Sequence, residues 1–170
     1  GGTAAQHRIT EVGIVLLEGG VVVEEWSSLV NPCQRIPSAI QSFTGITNEM
    51  VADAPTFDDL RSEVRARLEG RLFVAHNARF DYGFVRSEFR RVCENFSAPV
   101  LCTVRLSRLL FAEHNRHNLD TLIERWSLQC GQRHRALGDA AVLPDLLAAF
   151  EGAVGAERVQ QVIEASRFEA

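Results

Sequence analysis

An apolar run, Leu72-Phe73-Val74-Ala75, stops at His76-Asn77 and gives way to Ala78-Arg79-Phe80-Asp81. This boundary constrains the fold more than any other feature of the chain. The run reads as a strand that delivers the backbone to Asn77. Asp81 follows four residues later, one turn into a helix and on the same face. Ahead of it, Ile9, Val12, Ile14 to Leu17 and Val21 to Val23 flank Glu18-Gly19-Gly20, the pattern of two β-branched strands joined by a glycine turn. A hairpin followed by alternating helices and strands predicts an α/β fold, a mixed sheet flanked by helices.

The remaining text fills in that plan. Between Asn31 and Pro55 prolines and short polar stretches interrupt any long period, which predicts a loop with one or two short helices. Thr56 with Asp59 forms a capping pattern, and Phe57, Leu60, Val64 and Leu68 mark one face of a helix ending at Gly70. After the strand from Arg71 to Ala75, a helix runs from Arg79 to Cys93 with Phe80, Phe84, Val85 and Phe89 toward the core. Pro99 to Cys102 is a short strand and Val104 to Phe111 a helix. Asn118 caps another helix before Leu119, Leu122 and Ile123. Leu137 to Phe150 is helical in composition, with Pro144 expected to kink or restart it. Val159 to Phe168 reads as a last helix.

At 170 residues and 46% apolar content the chain suits a single domain, its core at about residues 1–150 and a C-terminal helix at about 156–169. No stretch approaches the roughly 18 apolar residues of a membrane helix. Even Val12 to Val23 is broken by Glu18, Gly19 and Gly20. Cys33, Cys93, Cys102 and Cys130 show no C-x-x-C spacing, which fits reduced thiols in a cytoplasm and argues against zinc. A net charge of −4 provides no general basic field for nucleic acid, so any such binding must be local. All 18 basic residues are arginine, which suits bidentate phosphate contacts and also fits codon bias.

A second cluster, His134-Arg135-Ala136-Leu137-Gly138-Asp139, places a histidine five residues before an acid at another helix start. The two clusters resemble the second and third motifs of the DEDDh 3′ to 5′ exonucleases, the superfamily of the bacterial proofreading subunit and of ribonuclease T. Arg8 to Gly13 resembles the second strand of that fold, and Phe43-Thr44-Gly45-Ile46-Thr47 its nucleotide-contacting loop. The resemblance covers about residues 1 to 150. Within the family, FVAHNARFDYGF, LCTVRLSRLL and RHRALGDA are most similar to exonuclease domains that precede a GIY-YIG nuclease domain.

The resemblance implies a ribonuclease-H-like mixed five-stranded sheet. It also implies a two-metal Mg2+ or Mn2+ site that hydrolyses phosphodiesters from 3′ ends of single-stranded or frayed DNA. Asp81 and Asp139 would be metal ligands and His134 the general base, a role an imidazole can fill near neutral pH. Gly45, Ile46, Asn77 and Phe80 would contact substrate. Family members open with a strand ending in D-x-E-T-T-G, whose acids are the principal ligands. Here the chain opens at Gly1-Gly2-Thr3, so the natural protein is expected to extend upstream by a central strand carrying both acids.

Taken singly, each residue has a plainer role. Asp81 suits the positive end of a helix, Asn77 a cap, His134 a solvated surface, and Arg133 and Arg135 ordinary exposed charge. Two other functions stay open: an RNA-trimming enzyme, which shares every residue discussed, and a catalytically incomplete module that docks on a polymerase or nuclease partner.

Overall fold

The computed structural model describes residues 6–169. Strands β1 (Glu11–Glu18) and β2 (Val21–Leu29) pair antiparallel across Gly19-Gly20. Both glycines have positive φ, 57° and 79°, as the tightest hairpin turns demand. Alternation along β1 sets its two faces. Val12 and Ile14 enter the core, while Glu11 and Gly13 face the backbone near residues 135–137.

Helices α1 (Ser38–Thr44) and α2 (Asn48–Ala52) occupy the expected irregular stretch, and α3 (Phe57–Leu68) follows. The capping pattern at its start is present in full. The Thr56 hydroxyl accepts from the Asp59 amide at 3.2 Å, and the Asp59 carboxylate accepts from the Thr56 amide at 3.0 Å.

The strand ahead of Asn77 is β3 (Phe73–Ala75), which runs into α4 (Ala78–Arg91); β4 (Pro99–Cys102) runs straight into α5 (Thr103–Leu110). The two strands are parallel, with Ala75 opposite Cys102, so their carboxyl ends and the helix starts that follow lie side by side. On α4 the buried face is Ala78, Tyr82, Val85, Glu88 and Phe89. Phe80, expected toward the core, lies off this stripe and is 51% exposed, its ring 4.8 Å from that of Phe84. Glu88 is buried but not isolated. Arg8 reaches it through two hydrogen bonds of 2.7 and 3.0 Å, and Arg91 through one of 2.8 Å.

Helices α6 (Leu119–Arg125), α7 (Ala136–Ala141), α8 (Leu143–Val154) and α9 (Ala156–Ser166) complete the chain before a two-residue strand, β5 (Phe168–Glu169). Pro144 restarts the helix as expected, sitting in the first turn of α8, where its missing donor has no helical partner to lose. The expected final helix reaching Phe168 is corrected. Arg167 turns extended, and Phe168 pairs with Val100, covering an edge of β4 that would otherwise expose unpaired backbone groups.

The strands divide into a pair, β1-β2, and a triplet, β3-β4-β5. The additional central strand that the resemblance implies lies outside the described residues. One core cluster joins β1 to the second sheet through Val12, Ile14, Tyr82, Val85, Phe89 and Val100. Another, on the opposite face of β4, gathers Leu101, Leu106, Leu122, Leu146, Phe150 and Val159. Adjacent Val100 and Leu101 thus feed different clusters, as strand alternation requires. Among the described residues no helix is long and apolar enough to cross a membrane.

Gly13 and Gly83 provide opposite tests of this packing. A Cβ on Gly13 would fall inside contact distance of the Ala136 and Leu137 backbone, whereas a Cβ on Gly83, midway along α4, would meet nothing within 4 Å. Gly13→Ala is expected to cost about 1–3 kcal/mol in denaturant unfolding. Gly83→Ala should stabilise by about 0.8–1 kcal/mol. A neutral Gly13→Ala would show that α7 does not press on β1.

Candidate active site

Asn77 and Asp81 stand at the start of α4. Asn77 adopts a left-handed conformation (φ 73°, ψ 55°) and makes no side-chain capping bond, so the plain reading of it as a helix cap is corrected. A non-glycine residue held there stores about 1–3 kcal/mol of strain, which surrounding structure must offset. His134 is a second such residue, with φ 65°.

Asp139 lies on α7. Its Oδ1 accepts from the backbone N–H of His134 at 3.3 Å and closes on an Arg133 guanidinium nitrogen. Arg133 also donates to Asp120 at 2.6 Å. Arg135 donates to both carboxylate oxygens of Glu11, at distances from 2.7 to 3.2 Å, and the same carboxylate accepts from the Ala136 N–H at 2.8 Å. Burial disfavours the charge on Glu11, but these hydrogen bonds outweigh it and hold the carboxyl below its usual range. Neither arginine beside His134 is therefore a spare exposed charge. Gly138 lets the loop fold back, since a Cβ there would collide with the Gln132 carbonyl.

Asp81 and Asp139 sense one another. Protein around Asp81 desolvates its carboxyl and the charge of Asp139 adds repulsion, together pushing its pKa from an ordinary 3.8 up to about 6. The Asp81 side chain remains open to solvent by surface area, which argues against a large desolvation. The like charge acts in the same direction regardless, so the rise itself stands. These carboxylates offer the hard oxygen donors that Mg2+ and Mn2+ prefer. Among the described residues, however, no three His, Cys, Asp or Glu side chains gather to complete a metal site. The donor chemistry fits; the number of donors does not suffice.

The imidazole of His134 packs on the ring of Phe43 from α1, with centroids 3.9 Å apart. Phe43 is 61% exposed and Met50 is also exposed nearby in sequence, whereas Ile46, expected to meet a base, is only 2% exposed. That expectation is corrected, because Ile46 is core, packed with Ile36 and Val51. Gly45 ends α1 with φ 76°, a conformation that suits glycine.

Two histidines without a role in sequence prove structural. His76 Nε2 lies 2.8 Å from the His117 carbonyl and Nδ1 lies 2.8 Å from the Thr103 hydroxyl, which fixes the neutral tautomer with the proton on Nε2. His117 in turn bonds Ser107 at 2.7 Å and the His114 carbonyl at 2.8 Å. This polar network bolts the start of α4 to the start of α5. Only the placement of His76 at the end of β3 hinted at it.

An exonuclease family model (RNase_T) matches residues 1–147. The chain belongs to the exonuclease family. This exonuclease-family chain is 39% identical over 138 residues to the 3′-5′ exonuclease DinG of Bacillus subtilis (strain 168), covering 79% of the chain and 15% of DinG. It is 33% identical over 147 residues to the PolC-type DNA polymerase III of the same organism, covering 85% of the chain and 10% of the polymerase. A Mycobacterium tuberculosis (strain CDC 1551 / Oshkosh) protein named as a candidate bifunctional exonuclease/endonuclease is 38% identical over 159 residues, 92% of the chain and 25% of that protein. The chain thus spans a quarter or less of these relatives' lengths. Among solved structures, exonuclease X bound to 5′-overhanging duplex DNA is similar at 28% identity and TM-score 0.71, covering 90% of this chain and 89% of that one. The nuclease domain of 3′hExo, a DEDDh family member bound to rAMP, shares the fold at TM-score 0.74 and 18% identity, covering 88% and 83% of the two chains. The mixed α/β architecture is accordingly the ribonuclease-H-like one.

Two stability tests follow for this exonuclease-family domain, both without divalent cations. Burial lowers the pKa of His76 below 6.5. A histidine whose folded pKa is depressed adds stability above its unfolded value, and that stability is lost as pH falls below about 6.5. His76→Gln should lower Tm at neutral pH and flatten its decline on acidification; equal slopes would show that His76 does not carry this term. Asp81 has the opposite sign, its folded pKa raised, so its contribution is lost as pH rises through about 6. Asp81→Asn should therefore raise Tm above that pH and gain little well below it.

Proposed function

We propose that the chain is the catalytic domain of a 3′ to 5′ exonuclease that releases nucleoside monophosphates from single-stranded or frayed DNA. The observation that carries this reading is the exonuclease-family match over residues 1–147, which takes in Asp81 at the start of α4, His134 and Asp139 at the start of α7. Carboxylates at two helix starts supply oxygen donors suited to a hard cation. DNA is preferred over RNA because the relatives include DNA polymerases. The small share of each relative that the chain spans supports a domain working within a larger polymerase or two-nuclease protein.

In this reading Asp81 and Asp139 hold Mg2+ or Mn2+, together with acids outside the described residues. A bound metal pair supplies charge neutralisation on the attacking and leaving oxygens. His134 takes the proton from the attacking water. Neither of its ring nitrogens has a hydrogen-bond partner among the described residues, and its left-handed backbone at the entry to α7 leaves the ring at the surface against Phe43. Phe43 and Phe80, both largely exposed, provide faces on which terminal bases stack. Gly45 admits the strand closely, and the exposed Asn77 amide offers hydrogen bonds to it. Arg133 must give up Asp139 to the incoming cation and turn to an anion such as substrate phosphate.

The test uses the full natural protein and 5′-labelled single-stranded DNA with Mg2+ or Mn2+. A ladder shortening stepwise from the 3′ end is expected. His134→Ala should cut turnover by about 100-fold or more, and Asp81→Asn and Asp139→Asn should abolish it, each with an unchanged circular-dichroism spectrum. Full activity in His134→Ala would remove the general-base role. No hydrolysis by the wild type would leave a docking module of exonuclease ancestry.

A further inference from the structure

Eight of the 18 arginines are held by carboxylates among the described residues. Arg8, Arg61, Arg65, Arg67, Arg71, Arg91, Arg133 and Arg135 all form ion pairs. Three that make none among the described residues, Arg79, Arg105 and Arg108, converge on one pocket of about 230 Å³, completed by Asn77, Cys102 and Phe168. In a protein of net charge −4 this is a local concentration of uncompensated positive charge.

Its place in the fold is equally specific. The pocket opens beyond the carboxyl ends of the parallel strands β3 and β4, between the starts of α4 and α5, where ligands of open α/β sheets settle. Arg105 and Arg108 stand three residues apart on α5, so they share its exposed face while Leu106 and Ser107 turn inward. Arg79 reaches the rim from α4, its guanidinium 5.3 Å from the centre of the Phe168 ring. Both helix starts add partial positive charge directed at the same space. Asn77 lines the pocket, and Asp81 follows one turn along α4, about 6 Å away by helical rise.

We propose that this pocket binds an internucleotide phosphate of the nucleic-acid strand whose 3′ end lies at Asp81 and Asp139, so that the strand is gripped upstream of the bond to be cut. The assignment rests on the exonuclease reading for its direction, and on the pocket alone for its chemistry. Forked guanidinium groups match a phosphodiester's paired oxygens. An acidic domain without a general basic field needs such a grip somewhere.

Binding of a fluorescent single-stranded oligodeoxynucleotide to the full natural protein, measured by anisotropy in EDTA over a range of salt, tests this. Each phosphate contact on a single strand contributes about 0.7 to the slope of log K against log salt, so the double variant Arg105→Gln/Arg108→Gln, which gives up the one phosphate held in the pocket, should lose about 0.7. Arg105→Lys/Arg108→Lys should keep most of the slope, because it keeps the charge. Arg158→Gln, an exposed arginine on α9, should change it little. An unchanged slope in the double glutamine variant overturns the proposal, as does an equal loss in Arg158→Gln, which would mark a general charge effect. Thymidine 5′-monophosphate separates the sources of phosphate. If the double variant loses affinity for this mononucleotide as much as for the strand, the pocket takes a free or terminal phosphate and the proposal falls. Wild-type hydrolysis of the p-nitrophenyl ester of the same nucleotide, with Mg2+ or Mn2+, tests the exonuclease reading separately. Its failure would sink that reading while the salt slope still decided the pocket.

Discussion

Glu11 holds the two halves of this molecule in register. One carboxylate takes a forked pair of bonds from Arg135 and a third from the first N–H of α7, so a side chain of the hairpin serves as the cap that α7 lacks in its own sequence. Two residues along, Gly13 on the same face allows the backbone of α7 to press directly on β1. The loop that carries Arg133 and His134 begins where this clamp ends, and Asp139 closes back onto it. Everything distinctive about the second half of the site hangs from the opening strand of the described fold. Removing the carboxylate would leave Arg135 without its partner and a helix start unsatisfied, a larger loss than that of one surface ion pair.

Charge is arranged in this domain by subtraction. Carboxylates outnumber arginines overall, and the arginines that meet them are neutralised in place, at Glu88, Glu11 and along α3. Where unpaired charge gathers is therefore informative: Asp81 meets no cation among the described residues, and Arg79, Arg105 and Arg108 come together between α4 and α5. The two kinds of charge meet at the start of α4, where Asn77 lines the arginine pocket and Asp81 follows one helical turn on.

The fold was largely legible because its signals are local. The glycine turn, the Thr56–Asp59 cap, the Pro144 restart and the strand leading to Asn77 each depend on a few neighbouring residues, and each is present. The same text placed Asp81 and Asp139 at helix starts, where the structure puts them. What escaped was set by contacts distant in sequence. Phe168 looked helical until β4 offered it a partner. Ile46 and Phe80 exchanged their expected surroundings because burial depends on which stripe of a helix meets the core, and short apolar stretches do not reveal that. His76 and His117 showed no spacing because their bonds are to carbonyls and hydroxyls on other elements. Glu11 carries no local signal, because its partners Arg135 and Ala136 lie 124 and 125 residues away.

The network through His76 has a mechanical meaning. Its ring spans from the end of β3 to Thr103, the first residue of α5, and to the carbonyl of His117, whose own ring meets Ser107; Thr103 and Ser107 have no exposed surface. The segment bearing Asp81 and the helix bearing Arg105 and Arg108 consequently cannot drift apart without breaking buried hydrogen bonds. A strand held at both places would be measured against a rigid ruler, and it would advance by whole nucleotides because no intermediate position satisfies both marks.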